Sequence, residues 1–427
     1  MSSSLPQSNS HKINVCLIAG EASGDAQGAL LLSALHTCFQ SLGFSVQAWG
    51  CGGSLLRDAG LESVVDIDQL SAMGFAEVAA AYPRISAAAH LLRAELRARR
   101  PDITILIDYP GLNMRLMEDA FHSGSCVVYH IPPKVWAHGA SRTARLRDYT
   151  YLVTCILPFE QNLLRGAGVN ACFVGNPLND EIQNHLARRS PNRKQSINKN
   201  IALIPGSRAA EIEKVFPLLV ESFIALSKQF PNQLSAVVPV APTVSINRVA
   251  TILDAVLDAK DAATLRTAIV LEQNRSLREV VCDVDYAWVC SGTAALEVAF
   301  LQVPMSVVYR MNWLTYEIAK RLVRLPHISL VNLCAQREIV PEFVQDNATV
   351  DNLVSHAEFL LKSTDATQAM KHELAQLQQM FPHDSAAQAA HRISSLFLNL
   401  PRESDKRFHY KANQDLLLAE REWSLSQ

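Results

Sequence analysis

The chain is poor in the features that mark several large classes of protein. Only 19 % of its 427 residues are charged, and the formal net charge is −2. It has no basic excess of the kind a nucleic-acid binder uses against phosphates, so no nucleic-acid partner is expected. No apolar run approaches the ~20 residues that span a bilayer. The opening stretch, MSSSLPQSNSHK, has no apolar segment of the kind a secretory signal needs. The nine cysteines, at 16, 38, 51, 126, 155, 172, 282, 290 and 334, form no C-x-x-C pair. Most sit in apolar runs, so they read as buried, reduced thiols of a cytoplasmic protein, not as disulfides or a zinc site.

Apolar residues are plentiful, at 49 % of the chain. That is enough for two cores, and a chain this long favours two domains of about 200 residues each. Short runs rich in Val, Ile and Leu fall at 13–19, 45–49, 103–107, 126–130, 151–156 and 171–174 in the first half. In the second half they fall at 201–204, 234–240, 267–271, 285–290 and 304–309. They do not alternate with polar residues and are separated by helical patterns. That is the signature of parallel strands buried on both faces and joined by right-handed crossovers. The fold class expected is therefore α/β, with two doubly wound Rossmann-like domains. Residues 188–200, RRSPNRKQSINKN, read as a linker, which gives domains 1–187 and 201–399 and a charged tail, 400–427. Leu416, Leu417, Leu418 and Trp423 of that tail suit either a loosely attached end or a short helix docked on the body or on a partner subunit.

Three turns follow strands in a way that aims helix N-termini at an anion: Gly20 to Asp25, Pro205-Gly206-Ser207-Arg208 and Ser291-Gly292-Thr293. Turns of this kind in both halves point to a phosphorylated or nucleotide ligand in a cleft between the domains. Gly20, Gly24 and Gly28 are spaced by four, which suits either a ligand turn or close helix–strand packing; it is not a dinucleotide fingerprint. Ser23 and Asp25 are placed to bind a ligand or to cap the helix. Asp108, after the apolar run 103–107, is a general base or an Asx turn. Arg208 puts a phosphate-matching fork where the helix dipole gains nothing from a cation, which favours a ligand role. Thr293 and Glu297 lie one turn apart on one helical face, where a hydroxyl and a carboxylate suit a nucleoside diphosphate. Leu70, Met73, Phe75 and Val78, followed by Arg93, Arg97, Arg99 and Arg100, read as an acidic-membrane contact or as core packing plus a solvated basic helix end.

Together these segments resemble the lipid-A-disaccharide synthase family. The matching stretches are AGEASGD (19–25), LSAMGFAEV (70–78), IDYPGLN (107–113), PPKVWA (132–137), LPFE (157–160), GNPLNDEI (175–182), IPGSRAAEIE (204–213), SGTAALE (291–297), PMSVVYRM (304–311) and ISLVNL (328–333). The resemblance implies a B-type glycosyltransferase whose last helices cross back onto the first domain or a partner. It implies the donor UDP-2,3-diacylglucosamine and the acceptor 2,3-diacylglucosamine 1-phosphate (lipid X), with inversion in a single displacement. Asp108 occupies the family's base position. Arg208, Ser291, Gly292, Thr293 and Glu297 occupy the UDP side, Asn113 adjoins the base, and Asn332, Glu338 and Gln345 fall in the C-terminal active-site stretch. No metal or cofactor is implied. The enzyme would work at the inner-membrane surface, and a homodimer is compatible with the pattern. The chain departs from that pattern at Gly111, at Pro133-Lys134, at His138-Gly139 and at Asn176. Those departures keep open a relative that uses another UDP-amino-sugar or lipid acceptor. A UDP-sugar-binding protein without turnover is the remaining reading.

Overall fold

The structure is a computed structural model that describes residues 11–70, 75–136, 140–189, 198–260, 262–311 and 326–400, with the side chains of 75–82 and 140 left aside. Met73, the side chain of Phe75, His138, Gly139, most of the expected linker and the whole 401–427 tail lie outside the described residues. The chain divides into two compact units, one of residues 1–177 with 382–427 and the other of residues 178–381.

Unit 1 contains a parallel sheet of β1 (His11–Ala19), β2 (Phe44–Gly52), β3 (Glu62–Asp66), β4 (Ile103–Ile107), β5 (Cys126–His130), β6 (Leu152–Cys155) and β7 (Ala171–Phe173). Its strand order is β3-β2-β1-β4-β5-β6-β7. The intervening helices are α1 (Ala22–Ser41), α2 (Ser54–Asp58), α3 (Phe75–Arg99), α4 (Pro110–His122), α5 (Ala140–Tyr149) and α6 (Pro158–Gly166). Strands β4 and β5 are buried along their whole length, as runs without polar alternation require.

Unit 2 repeats the plan. After α7 (Pro177–Arg188) come β8 (Lys199–Ile204), α8 (Ala209–Gln229), β9 (Leu234–Pro239), α9 (Ile246–Ala259), β10 (Ile269–Glu272), α10 (Leu277–Val281), β11 (Tyr286–Cys290), α11 (Thr293–Phe300), β12 (Met305–Tyr309), α12 (Leu330–Ala335) and β13 (Glu342–Val344). The strand order is β10-β9-β8-β11-β12-β13, again all parallel. Two more helices, α13 (Val350–Lys362) and α14 (Thr364–Gln379), complete it. The last described helix, α15 (Ser385–Asn399), belongs to unit 1. It packs on α1, with Phe397 edge-on to Phe39 at 6.0 Å and Ala389, Ala390 and Ile393 in the same core. The crossing back that the resemblance implied is thus made by α15.

Two strands were not among the expected runs, β3 and β13. Both are edge strands. β3 reads ESVVD and is only partly buried, and β13 has three residues, so neither carries the long apolar run of a central strand. All nine cysteines are free thiols, seven of them buried.

Candidate active site

In each sheet the strand order reverses direction at one place, between β1 and β4 in unit 1 and between β8 and β11 in unit 2. Ligands of open α/β sheets bind beyond the carboxyl ends of the strands at such a switch point. Ser23, Asp25, Asp108, Arg208, Ser291, Gly292 and Thr293 follow these four strands, and Asn332, Glu338 and Gln345 lie beyond β12.

In unit 1, Asp108 directly follows β4 and Tyr109 precedes α4. Both have left-handed backbones, with φ of 42° and 43°. Two adjacent non-glycine residues in this region hold strain that the surroundings must maintain. Several bonds do so. The Asp108 N–H donates to the His130 carbonyl at 2.9 Å. The Asp108 carbonyl accepts from the Tyr129 hydroxyl at 2.8 Å and from the Asn113 amide at 2.9 Å. The Tyr109 ring lies across Gly20, where a Cβ would come within 2.2 Å of it. Any larger residue at position 20 would dislodge that ring. The twist turns the Asp108 carboxyl into a setting where burial, helped by the nearby Glu21 and opposed by the Tyr109 N–H and Lys134, raises its pKa to about 6.

The other expected residues of unit 1 divide into free and engaged groups. Ser23 is exposed and donates to Glu21 Oε1 at 2.6 Å. Asp25 is buried, and its oxygens accept from the backbone N–H groups of Gly53 (2.6 Å), Leu55 (3.1 Å) and Leu56 (3.2 Å). It caps α2 and not its own helix, so three of its acceptor sites hold the fold. Asn113 is fully buried and gives its amide to the carbonyls of Ile107 and Asp108, both at 2.9 Å. It supports the base turn from beneath. A Cβ on Gly28 would come within 2.9 Å of Leu56, which is close packing.

The arginines behind α3 divide in the same way. Arg93 is paired with Asp119 at 2.7 Å. Arg99 pairs with Glu62 at 2.9 Å, bonds Glu95 and stacks on Trp49 at 4.8 Å. These two are committed to the fold of unit 1. Arg97 reaches Asp119 only at 3.5 Å and is 74 % exposed, and Arg100 is exposed at the helix end.

In unit 2, Gly206 has φ of +106° and a Cβ there would sit 2.6 Å from Glu211 Oε2, so the turn after β8 needs glycine for both conformation and space. Arg208 occupies the N-cap of α8 with its side chain 80 % exposed, held at one edge by Glu211 at 2.9 Å. After β11, Gly292 caps α11 with open space where a Cβ would stand. Ser291 donates to the Ile328 carbonyl at 3.1 Å, and Thr293 is exposed. Glu297 is mostly buried, 3.6 Å from Arg278 Nε; burial raises its pKa and Arg278 counters.

Asn332 is fully buried and satisfied at both ends. Its amide donates to Val340 O and Glu342 Oε1, both at 2.8 Å, and its oxygen accepts from the Ile339 N–H at 2.9 Å and the Val340 N–H at 3.2 Å. Gln345 clamps the Met311 backbone, accepting its N–H at 2.8 Å. Glu338 is exposed in the turn after α12. Sequence reasoning missed Glu342. Its carboxylate accepts from the N–H groups of Ile328 (2.8 Å) and Ser329 (3.0 Å) and from the Ser329 hydroxyl (2.7 Å), so it orders the segment that Ser291 touches. Ten residues separate it from Asn332 and fourteen from Ile328, so no local pattern marks it. It also missed Glu160, buried at the start of α6, where burial lifts the carboxyl to about 7.

A family model described as lipid-A-disaccharide synthetase matches residues 15–393. The chain belongs to that family. It is 36 % identical to the lipid-A-disaccharide synthase of Anaeromyxobacter sp. (strain K), over 83 % of this chain and 90 % of that one. It is 30 % identical to the synthase of Trichlorobacter lovleyi, over 91 % and 98 %. Among solved structures it is similar to a UDP-N-acetylglucosamine 2-epimerase from Listeria monocytogenes, described as putative, at 13 % identity with a TM-score of 0.61 over 92 % and 98 % of the chains. The UDP-GlcNAc 2-epimerase of Neisseria meningitidis, solved with UDP-GlcNAc, gives 11 % and 0.57 over 91 % and 99 %. At those identities the structures show the fold alone, two Rossmann-like units of the glycosyltransferase B type. Family membership makes the chain a glycosyltransferase of lipid A biosynthesis. Among the described residues, no helix is long and apolar enough to cross a membrane.

Proposed function

We infer that this chain joins UDP-2,3-diacylglucosamine to 2,3-diacylglucosamine 1-phosphate, giving the β-1,6-linked disaccharide 1-phosphate and UDP. Inversion in one displacement needs a base for the attacking 6-hydroxyl and a stabiliser for the departing diphosphate. Asp108 is the proposed base. The observation that carries this role is its strained position at the switch point of unit 1, with a carboxyl held near the pH where a base is most effective. Arg208 and the Ser291-Gly292-Thr293 turn are the proposed diphosphate holders, and Thr293 and Glu297 face the nucleoside side. The exposed guanidinium of Arg208 and the open N-terminus of α11 support that assignment. Ser23 and Glu338 are proposed to contact substrate, while Asn113, Asn332 and Gln345 hold the loops that do. The reaction is placed at the inner-membrane surface, because both substrates carry acyl chains; Met73, Phe75, Arg97 and Arg100 remain the proposed contact. A homodimer stands as a proposal on the resemblance alone.

The test is UDP release from the diacylated UDP-sugar, with and without the lipid X acceptor. Release that depends on acceptor, with a disaccharide 1-phosphate seen by mass, supports the reading. Release without acceptor, or none with it, overturns it.

A further inference from the structure

Behind the open turn after β11, unit 2 carries a charge cluster built from three helices. Glu297 stands one helical turn beyond Thr293 on the same face of α11, with its side chain 14 % exposed. Arg278 reaches it from α10, its Nε 3.6 Å from Glu297 Oε1 and its side chain 24 % exposed. Through Nη2 the same guanidinium donates to Glu181 Oε2 of α7. One cation therefore spans two carboxylates carried by two other helices. Its Nε–H is buried and has no hydrogen-bond acceptor among the described residues. The start of α10 is closed by a capping box, in which the Glu279 carboxylate accepts from the Ser276 N–H at 2.8 Å and from the Ser276 hydroxyl at 2.6 Å. Arg278 leaves from that closed turn, so both its backbone and its guanidinium are anchored.

We propose that Arg278 is a positioning residue that acts through Glu297: anchored by Glu181, it holds the Glu297 carboxylate ready for the ribose hydroxyls of the UDP moiety and so sets a preference for a ribonucleotide donor. This rests on Glu297 taking the nucleoside side of the donor. A carboxylate this far withdrawn from water is costly to keep charged unless a partner offsets the burial. Burial pushes the Glu297 carboxyl up, and Glu181 adds to this as a like charge. Arg278 opposes both, through its guanidinium and through its backbone N–H. A separation of 3.6 Å is an ion pair and too long for a hydrogen bond. The guanidinium thus steadies the charge by its field without taking up the lone pairs that a ligand needs. The ionised carboxylate is acceptor-only and can meet two hydroxyls at once, whereas the protonated form spends one oxygen on its own hydrogen. A ribose offers two neighbouring hydroxyls, and a 2′-deoxyribose offers one. Glu181 alone would satisfy Arg278 if the pair served only the fold. The Nε–H turned toward Glu297 is the part of the arrangement that this simpler account leaves unused.

The test compares wild type with Arg278→Gln, Arg278→Lys and Glu297→Gln in the full chain, after matched melting curves establish folding. Calorimetric titration with UDP and with 2′-deoxy-UDP gives a ratio of affinities. General damage to the site weakens both ligands alike and leaves that ratio where it was. Wild type should favour UDP roughly tenfold. Arg278→Gln should cut the preference to about threefold or less, and should raise the donor KM with kcat little changed. Arg278→Lys keeps the cation and should retain most of the preference. The double variant Arg278→Gln, Glu297→Gln should match Glu297→Gln alone, because the arginine acts through the carboxylate. A wild-type ratio in Arg278→Gln overturns the proposal. If Glu297→Gln loses the preference in that case, the nucleoside role of Glu297 stands and only the arginine's part is lost. If Glu297→Gln also keeps it, or if wild type shows no preference, the assignment of Glu297 fails as well. Should Arg278→Gln not fold, the Arg278 Nε–H resonance, assigned by its absence in Arg278→Lys, carries the test. It should shift on adding UDP and shift less on adding 2′-deoxy-UDP, and a resonance that UDP leaves unmoved overturns the proposal.

Discussion

The turns after β1 and β4 in unit 1 and those after β8 and β11 in unit 2 occupy the same place in sheets of the same strand order, yet they carry opposite charge. Unit 1 presents Glu21, Asp108 and, two strands further, after β6, Glu160. Unit 2 presents Arg208, with Ser291, Gly292 and Thr293 at a bare helix N-terminus. A switch point therefore supplies a place and no chemistry of its own. Charge and backbone conformation decide whether it accepts a proton or holds an anion. In unit 1 the conformation is costly: two left-handed residues in sequence and a carboxyl partly withdrawn from water. In unit 2 it is nearly free, because glycine supplies the unusual angles at 206 and 292.

The sharpest break of this comparison is Asp108→Asn. Asparagine tolerates the left-handed region best among non-glycine residues, so the turn should survive while the base is lost. Turnover is expected to fall roughly 10²–10⁴-fold, with donor KM little changed. Initial rates of UDP release at pH 8 measure this; a rate within a factor of three of wild type would move the base elsewhere. The matching change in unit 2, Arg208→Ala, should act on binding. Loss of a charge-assisted contact of about 1.5–3 kcal/mol should weaken UDP roughly 10- to 100-fold, and added Mg²⁺ should not restore it. Calorimetric titration with UDP checks the loss, and a chelator should leave wild-type turnover intact.

The same comparison has a thermodynamic face. The Asp108 carboxyl is raised in the folded state from an ordinary value of 3.8 to about 6. Folding then favours the protonated form, so this group's contribution is most favourable below about pH 4 and is lost as pH rises through 6. Asp108→Asn should accordingly stabilise unit 1 at pH 8, by something on the order of 2 kcal/mol, and change little at pH 4. Denaturant midpoints at the two pH values check the sign. No such gain is expected from Arg208→Ala, whose side chain is already in solvent.

Much of this division could be read in the sequence, and the part that could not was non-local. Among the described residues, apolar runs located eleven of the thirteen strands, because central parallel strands bury both faces. Edge strands β3 and β13, half exposed, gave no such run. The turns after β1, β4, β8 and β11 were legible from their small and charged residues. What was illegible was which polar side chains look outward. Asp25 accepts from residues 28 to 31 positions away, and Asn113 and Asn332 turn their amides onto backbone. From sequence, an asparagine that supports a loop and one that binds a sugar are the same residue. Asn113 in unit 1 and Asn332 in unit 2 differ in completeness. Asn332 has donors and acceptors on both sides, whereas Asn113 Oδ1 has no protein partner. Asn332→Ala strands more buried groups and should cost about 1–3 kcal/mol; Asn113→Ala should cost less. Equal losses in chemical denaturation would show that the unmatched oxygen of Asn113 is satisfied by solvent.

The smallest expected effect concerns the arginines of α3, where the contrast lies within one unit. Arg93 and Arg99 are spent on Asp119, Glu62, Glu95 and Trp49, so their replacement should lower stability and leave lipid binding aside. Arg97 and Arg100 are free enough to meet an anionic surface, each adding about 1 kcal/mol at low ionic strength. The double variant Arg97→Gln, Arg100→Gln should therefore bind anionic vesicles several-fold more weakly at low salt. The deficit should shrink at high salt, where the Debye length falls to about 3 Å at 1 M. Neutral vesicles should show no difference. Co-sedimentation across that salt series decides it. Equal binding by the variant at low salt would make all four arginines an ordinary solvated helix end, and would leave the apolar residues Met73 and Phe75 as the part of this surface still to be tested.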